Sequence, residues 1–220
     1  MGKRIYLCLA HMSGNEMKYI QEAFDTNWVV PLGPNVNGFE EDLKRFVTGS
    51  ATAGTSKEVV ALSSGTAAVH LALIACGVGP GDEVMVQSFT FCASSHPVTY
   101  LGATPVFVDS DEDSWNMDPD LLDKAIADRI AKTGRDYGVL SFNGNKMITT
   151  SGGGALICPD MEAKNKIMWY ATQAREAYPY YQHESIGYNY RLSNICAGIG
   201  RGQMTVINDH LAHHRHVQKM

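Results

Sequence analysis

Long apolar runs, paired cysteines and blocks of like charge are all scarce in this 220-residue sequence. No stretch approaches the ~18 apolar residues that would cross a bilayer, and the opening MGKRIYLCLAHMSGNE lacks the long apolar core of a signal peptide. A soluble chain with no membrane partner is expected. The five cysteines, Cys8, Cys76, Cys92, Cys158 and Cys196, are odd in number and widely spaced with no C-x-x-C pair. That pattern suggests neither a disulfide frame nor a zinc site, and it fits a reducing cytoplasm. The 18 basic and 23 acidic residues, net charge -5, are spread without long blocks, so there is no electrostatic footprint for nucleic acid. Internal repeats and low-complexity segments are missing too. What remains is a globular composition, 45% hydrophobic, large enough to bury a core and to act on small molecules.

The local patterns are those of an α/β chain. Ser13-Gly14-Asn15-Glu16 has the capping-box form and predicts a helix to about Thr26. Pro31 to Asn35 reads as a loop, followed by an amphipathic helix over Phe39 to Val47. Val59 to Leu62 is a short apolar strand that meets Ser63-Ser64-Gly65-Thr66 and then a helix stopped by Gly77. Glu83 to Val86 and Thr104 to Val108 read as further buried strands, with a helix over Phe91 to Leu101 between them. The alternation predicts a mostly parallel sheet with flanking helices. Asp118-Pro119 opens a helix that should end near Thr133-Gly134. Tyr137 to Phe142, Met147 to Thr150 and Gly154 to Cys158 are β-prone and read as a ribbon. Helices over Met161 to Gln173 and Leu192 to His216 follow, joined by a Tyr-rich loop from Tyr178 to Tyr190.

Several residues carry chemical potential, each beside a plainer reading. Ser64, Gly65 and Thr66 lie where a strand ends and a helix begins, so free N–H groups and the positive end of the helix dipole meet there, which suits a phosphate. Taken alone, they read first as ordinary helix caps. Lys146, between two β-prone runs, would suit imine formation with an aldehyde cofactor if desolvated; otherwise it is a solvated turn lysine. Phe91 has the ring to stack on an aromatic cofactor or to sit in the core. Cys92 reads as a buried structural thiol. His210, His213, His214 and His216 have helical spacing that would grip a metal, but no convergent carboxylate or cysteine supports it, and no metal is assigned.

Taken in order, the motifs resemble the DegT/StrS-type family of pyridoxal 5'-phosphate (PLP) dependent nucleotide-sugar aminotransferases. The resemblance rests on His11 to Glu16, Val29 to Pro34 with Phe39-Glu40, Ser63 to Ala68, Ser88 to Ala93, Leu101 to Asp109, Leu140 to Lys146, Thr149 to Gly154, and Gly187 to Ser193. It implies a large domain of fold-type I aminotransferases, α/β and incomplete. Residues 1–220 would be a single large-domain fragment, with a cofactor-binding core at about 58–158 and residues 191–220 a helix leading towards an absent small domain.

By position, Lys146 is implied as the catalytic residue that carries PLP as a Schiff base and shuttles the substrate proton. Ser64, Gly65, Thr66 and Ser141 are implied to hold the cofactor phosphate, Phe91 to stack on its ring, and Asn189 to reach the cofactor of a neighbouring subunit in a homodimer with shared sites. The implied reaction moves an amino group from glutamate to a nucleotide-linked keto-deoxysugar in polysaccharide biosynthesis, UDP-linked 4-keto sugars being nearest. The alternative is a non-catalytic fragment that binds PLP or phosphate weakly, or only pairs with an intact subunit. The sequence departs from the family where Lys132-Thr133-Gly134 runs almost directly into Arg135-Asp136-Tyr137. Members carry several dozen residues there, including the aspartate that pairs with the pyridine nitrogen, so its loss weakens the electron sink. Asp109 is not assigned as its substitute.

Overall fold

Val59 to Leu62 and Ala155 to Cys158 are the apolar runs on which the fold is built. In the computed structural model, which describes residues 9–49, 57–129 and 137–220, they lie in β1 (Glu58–Leu62) and β5 (Gly154–Cys158). These pair antiparallel, with Leu62 opposite Gly154, and β4 (Gly138–Ser141) pairs on the other edge of β5 with Ser141 opposite Gly154. The order β1-β5-β4 makes β5 the one reversed strand of this sheet, since its two neighbours share a direction. A separate parallel pair joins β2 (Glu83–Gln87) to β3 (Thr104–Val108). The sheet read from the sequence is therefore present as two pieces. The expected third run of the ribbon, Met147 to Thr150, is not a strand but part of the β4–β5 connection.

Helices cover both faces of β1 and β5. Alternate residues point to opposite sides of a strand. Val59, Ala61 and Ala155 accordingly join a core with Phe39 and Leu43 of α2 (Pro34–Thr48) and Ala197 of α7 (Asn194–Met204). Val60, Leu62, Leu156 and Cys158 join another with Leu71 of α3 (Gly65–Cys76) and Ile167 of α6 (Met161–Ala171). The β2–β3 lobe has a smaller core of Val86, Val98 and Ala103.

Local chemistry explains most element ends. In α3, Ser64 Oγ accepts the N–H of Ala67 at 3.0 Å, and Gly77 takes the left-handed conformation (φ 81°) that closes the helix. α1 (Glu16–Asp25) is entered by a modified box: the Glu16 carboxylate accepts the N–H of Ser13 at 2.7 Å, while Ser13 Oγ takes the N–H of Asn15. α2 starts earlier than its apolar pattern because Pro34 supplies the fixed φ of a first turn.

Two expected single helices are split. Phe91 to Leu101 becomes a 3-10 turn at Cys92–Ser94 and α4 (His96–Tyr100), since Pro97 fits only in the first turn of a new helix. Leu192 to His216 becomes α7 and α8 (Ile207–Gln218). They are separated where Thr205 and Val206 tighten to i→i-3 bonds onto Gly202 and Gln203, and Thr205 Oγ1 donates to the Gly202 carbonyl. Asp118 caps α5 (Pro119–Arg129), accepting the N–H groups of Asp120 and Leu121. The expected end of that helix at Thr133-Gly134, the junction at Arg135-Asp136, and Cys8 lie outside the described residues. Among the described residues no helix is long and apolar enough to cross a membrane.

Candidate active site at the first turn of α3

The ends of three strands and one helix meet at Gly154. A Cβ built there would come within 2.4 Å of the Gly65 N and of the Ser64 carbonyl carbon, so only glycine lets β5 run this close to the first turn of α3. On the other side, a Cβ at Gly65 would lie 2.9 Å from Ser141 Cβ. Ser64, Gly65 and Ser141 are thereby brought together. The N–H groups of Gly65 and Thr66 have no hydrogen-bond acceptor among the described contacts, as expected of the first residues of a helix. Two free donors, a helix dipole and the Ser141 hydroxyl thus share one place, which is the arrangement an anion such as a phosphate requires. Capping holds for the Ser64 side chain as well, since its oxygen is the α3 cap.

The turn is held from behind. Ser63 N–H donates to the Tyr190 carbonyl at 2.8 Å, and Leu62 bridges to Arg191. The Arg191 guanidinium is buried, donating to Glu40 Oε1 at 2.8 Å and to the Ala61 carbonyl at 3.1 Å. The same carboxylate oxygen accepts the Ala61 N–H. Lys164 lies 3.8 Å from Glu40 and 3.5 Å from Glu58, and Lys44 lies 2.6 Å from Glu58. Burial works against the Glu58 charge, but the two lysines outweigh it and hold that carboxyl below the usual range. Glu40 and Arg191 each lie in a motif quoted from the sequence, but their pairing had no signal there. Glu40 and Arg191 are 151 residues apart and meet only in the fold.

Phe91, Lys146 and Asn189 are exposed and take no part in the contacts that tie Ser64, Gly65 and Ser141 together. Phe91, 77% exposed, is not a core residue, because the 3-10 turn it precedes lies on the surface. Cys92 is exposed for the same reason, which corrects its reading as a buried thiol; the buried thiol is Cys158, whose burial pushes it up to about 12.

Lys146 is a solvated turn residue in this chain rather than a desolvated one. Its backbone is nevertheless anchored on both sides: its N–H donates to the Asn143 carbonyl at 3.0 Å, and His210 Nδ1 donates to the Met147 carbonyl at 3.1 Å. Asn189 is turned away from the core because Tyr188 and Tyr190 stack on each other (4.9 Å) on the opposite side and pack against the α3–α6 cluster. The C-terminal histidines do not converge. His210 pairs with His11 at 3.0 Å, and among the described residues no three His, Cys, Asp or Glu side chains stand where they would hold a metal ion. Asp109, exposed at the end of β3, accepts the N–H of Ser110 and the hydroxyl of Ser88, which hold its carboxyl below the usual range.

Comparison with known proteins identifies the family of the chain. The model of the DegT/DnrJ/EryC1/StrS aminotransferase family matches residues 10–134 and 128–220. A protein named as the pyridoxal phosphate-dependent aminotransferase EpsN, from Bacillus subtilis (strain 168), is 41% identical, with 98% of this chain and 67% of that protein covered. GDP-perosamine synthase of Caulobacter vibrioides is 32% identical over 95% of this chain and 67% of its own length. A solved structure of a DegT DnrJ EryC1 StrS aminotransferase from Brucella abortus is 26% identical, with a TM-score of 0.76 over 89% of this chain and 64% of that one. The sugar aminotransferase Spr1654 of Streptococcus pneumoniae, in its PLP form, shares the fold with a TM-score of 0.79 at 22% identity, covering 94% of this chain and 68% of its own.

The chain thus spans about two thirds of the length of these relatives. The EpsN alignment runs over 266 positions where this chain has 220 residues, so at least 46 positions of the relative have no counterpart here. The two family matches meet at residues 128–134, which is where the sequence departs from the family pattern. On these matches, the chain belongs to the DegT/DnrJ/EryC1/StrS aminotransferase family.

Proposed function

We propose that this chain binds PLP and serves the transfer of an amino group from glutamate to a nucleotide-linked keto-deoxysugar. The observation that carries this is the pair of unsatisfied N–H groups at Gly65 and Thr66, set beside the Ser141 hydroxyl in a chain of this family. PLP, when bound, supplies the electron sink that makes amino transfer at carbon feasible.

The residues present fit that group. Gly65, Thr66 and Ser141 would donate to its phosphate, and the Ser64 hydroxyl has a hydrogen left to give because only its oxygen is used in capping. By the resemblance Lys146 would hold the cofactor through Nζ and move the proton at the substrate carbon; its side chain is exposed here, so the bound cofactor and substrate would have to supply the desolvation that imine formation calls for. Phe91 offers an exposed ring face to the pyridine. Asn189 is directed outward, as a residue serving the site of a second subunit in a homodimer would be. A cytoplasmic setting and a role in polysaccharide biosynthesis belong to the same proposal. So does the layout in which residues 58–158 carry the cofactor site and 191–220 lead towards a further domain.

The second reading, a non-catalytic chain that binds phosphate weakly or pairs with an intact subunit, is favoured by one observation. The family model matches in two pieces that overlap at residues 128–134, where the resemblance implies that members carry the carboxylate for the ring nitrogen. Absorbance of the purified protein with added PLP separates the two. A visible band that borohydride fixes in the wild type and that is missing in Lys146→Ala supports the first reading, and glutamate-dependent amination then tests it fully. A folded wild-type protein with no such band supports the second.

A further inference from the structure

The chain around Lys146 is pinned at its two ends and open between them. Phe142 and Ile148 are buried in the core shared with α2 and α7, and the Thr150 N–H donates to the Phe142 carbonyl at 3.0 Å. Between those ends Asn143, Gly144, Asn145 and Lys146 are exposed and Met147 is half-buried. Within this tip the Lys146 N–H donates to the Asn143 carbonyl, and Asn143 Oδ1 accepts the Gly144 N–H. Among the described hydrogen bonds, one reaches the tip from elsewhere in the fold: His210 Nδ1 to the Met147 carbonyl, at 3.1 Å.

Two anchors bring that imidazole into place. Ile207, the first residue of α8, is buried in the same core as Phe142 and Ile148, and His210 follows it at i+3 on the same face of the helix. On its far side, His210 Nε2 lies 3.0 Å from His11 Nδ1. His11 is held in turn by Gln203, whose buried amide donates to the His11 carbonyl and to Glu16 Oε1. The acceptors then decide where the protons sit. A carbonyl only accepts, so neutral His210 carries its hydrogen on Nδ1 and leaves Nε2 bare, and His11 must present an N–H at Nδ1.

We propose that His210 is a positioning residue for Lys146, and that His11 fixes the tautomer in which His210 does so. The inference rests on the reading of Lys146 as the lysine that takes PLP. With its own N–H bonded and the carbonyl one residue on also bonded, the backbone is restrained on both sides of the Lys146 Cα. Nζ then samples side-chain rotamers alone, instead of rotamers combined with turn conformations. Without that restraint an exposed lysine spreads its amine over a wider volume, and a misplacement of about 1 Å can slow a positioned reaction roughly a hundredfold. His210 itself touches no reacting atom; its effect passes through the Met147 carbonyl.

The first arm of the test needs no cofactor. Long-range nitrogen–proton NMR correlation on the full wild-type chain at alkaline pH is expected to show His210 and His11 both as Nδ1–H tautomers, and an Nε2–H ring at either overturns the proposal. His210→Phe keeps the bulk of the ring but loses the donor, and should lower the backbone order parameters of residues 144–147 while those of Phe142 and Ile148 stay high. His210→Asn, whose amide N–H can stand where Nδ1 does, should restore them. Unchanged order in His210→Phe overturns the proposal; if that variant does not fold, the wild-type tautomers still decide. In the second arm PLP is added, and the rate at which borohydride fixes it on Lys146 is read by mass spectrometry. That rate should fall roughly tenfold in His210→Phe and largely recover in His210→Asn. Equal rates in wild type and His210→Phe, or no recovery in a folded His210→Asn, overturn the positioning role. A wild-type chain that takes up no PLP sinks the cofactor reading by itself, and the order parameters then decide whether His210 holds the turn.

Discussion

Strands β1 and β2 have the same length, both begin with glutamate, and read alike, EVVAL and EVMVQ. Every residue of β1 is buried, whereas in β2 only Val86 is. The cause lies in their surroundings rather than in their composition. β1 has helices on both faces, β5 on one edge and the Arg191 bridge at its end. Among the described residues β2 has one strand neighbour and a core of a few side chains, and in its partner strand Phe107 is 57% exposed. A short apolar run therefore specifies a strand, while its neighbours decide whether that strand becomes the centre of a core.

That contrast breaks most sharply at the buried ion pair. Arg191→Leu leaves Glu40 buried without its guanidinium and should cost about 3–5 kcal/mol in chemical denaturation. The β1 half should loosen first, with the Ser63 amide losing exchange protection. Glu16, buried between α1 and α7, comes next. Burial alone would raise its carboxyl, but the Ser13 N–H, with further bonds including one from Gln203, outweighs burial and holds it at about 2. A depressed carboxyl stabilises the fold fully above its unfolded value near 4.5 and loses that contribution as pH falls from there towards about 2. Glu16→Gln should therefore cost up to about 3 kcal/mol at neutral pH and flatten the acid loss, measured as denaturation midpoints across that range. The same truncation in the two strands sharpens the comparison directly. Val60→Ala in β1 should cost about 2 kcal/mol, but Val86→Ala in β2 only about 1 kcal/mol, because the smaller core relaxes around the lost methyls. Equal costs would mean that the two lobes unfold as equally packed parts.

Much of this was legible from local pattern. The strands at 58–62 and 104–108, the Ser64 cap and the Gly77 stop are set by residues within one or two turns, so spacing reveals them. The grouping of Gly65 with Ser141 follows from the ordered motifs, although its physical basis, the missing side chain at Gly154, appears only when β5 and α3 are brought together. What escaped depends on distant partners. The Glu40–Arg191 pair spans 151 residues, the break before Ile207 coincides with a hydrogen bond from Asn15 to Thr205, and the exposure of Lys146 depends on what surrounds its turn. Periodicity likewise assigned β2 and β1 to one sheet, because nothing within a strand records which neighbours are present on its edges.

Gly154 also sets a limit on change. Any side chain there enters the space of the Ser64–Gly65 backbone, which cannot rotate aside as a flexible side chain would. In a saturation library this position should behave as a closed door while neighbouring Ala155, which faces the α2–α7 core, admits small substitutions. The site's first turn and the sheet beneath it can then drift only together, as one inherited part, whatever chemistry the exposed residues around them come to serve.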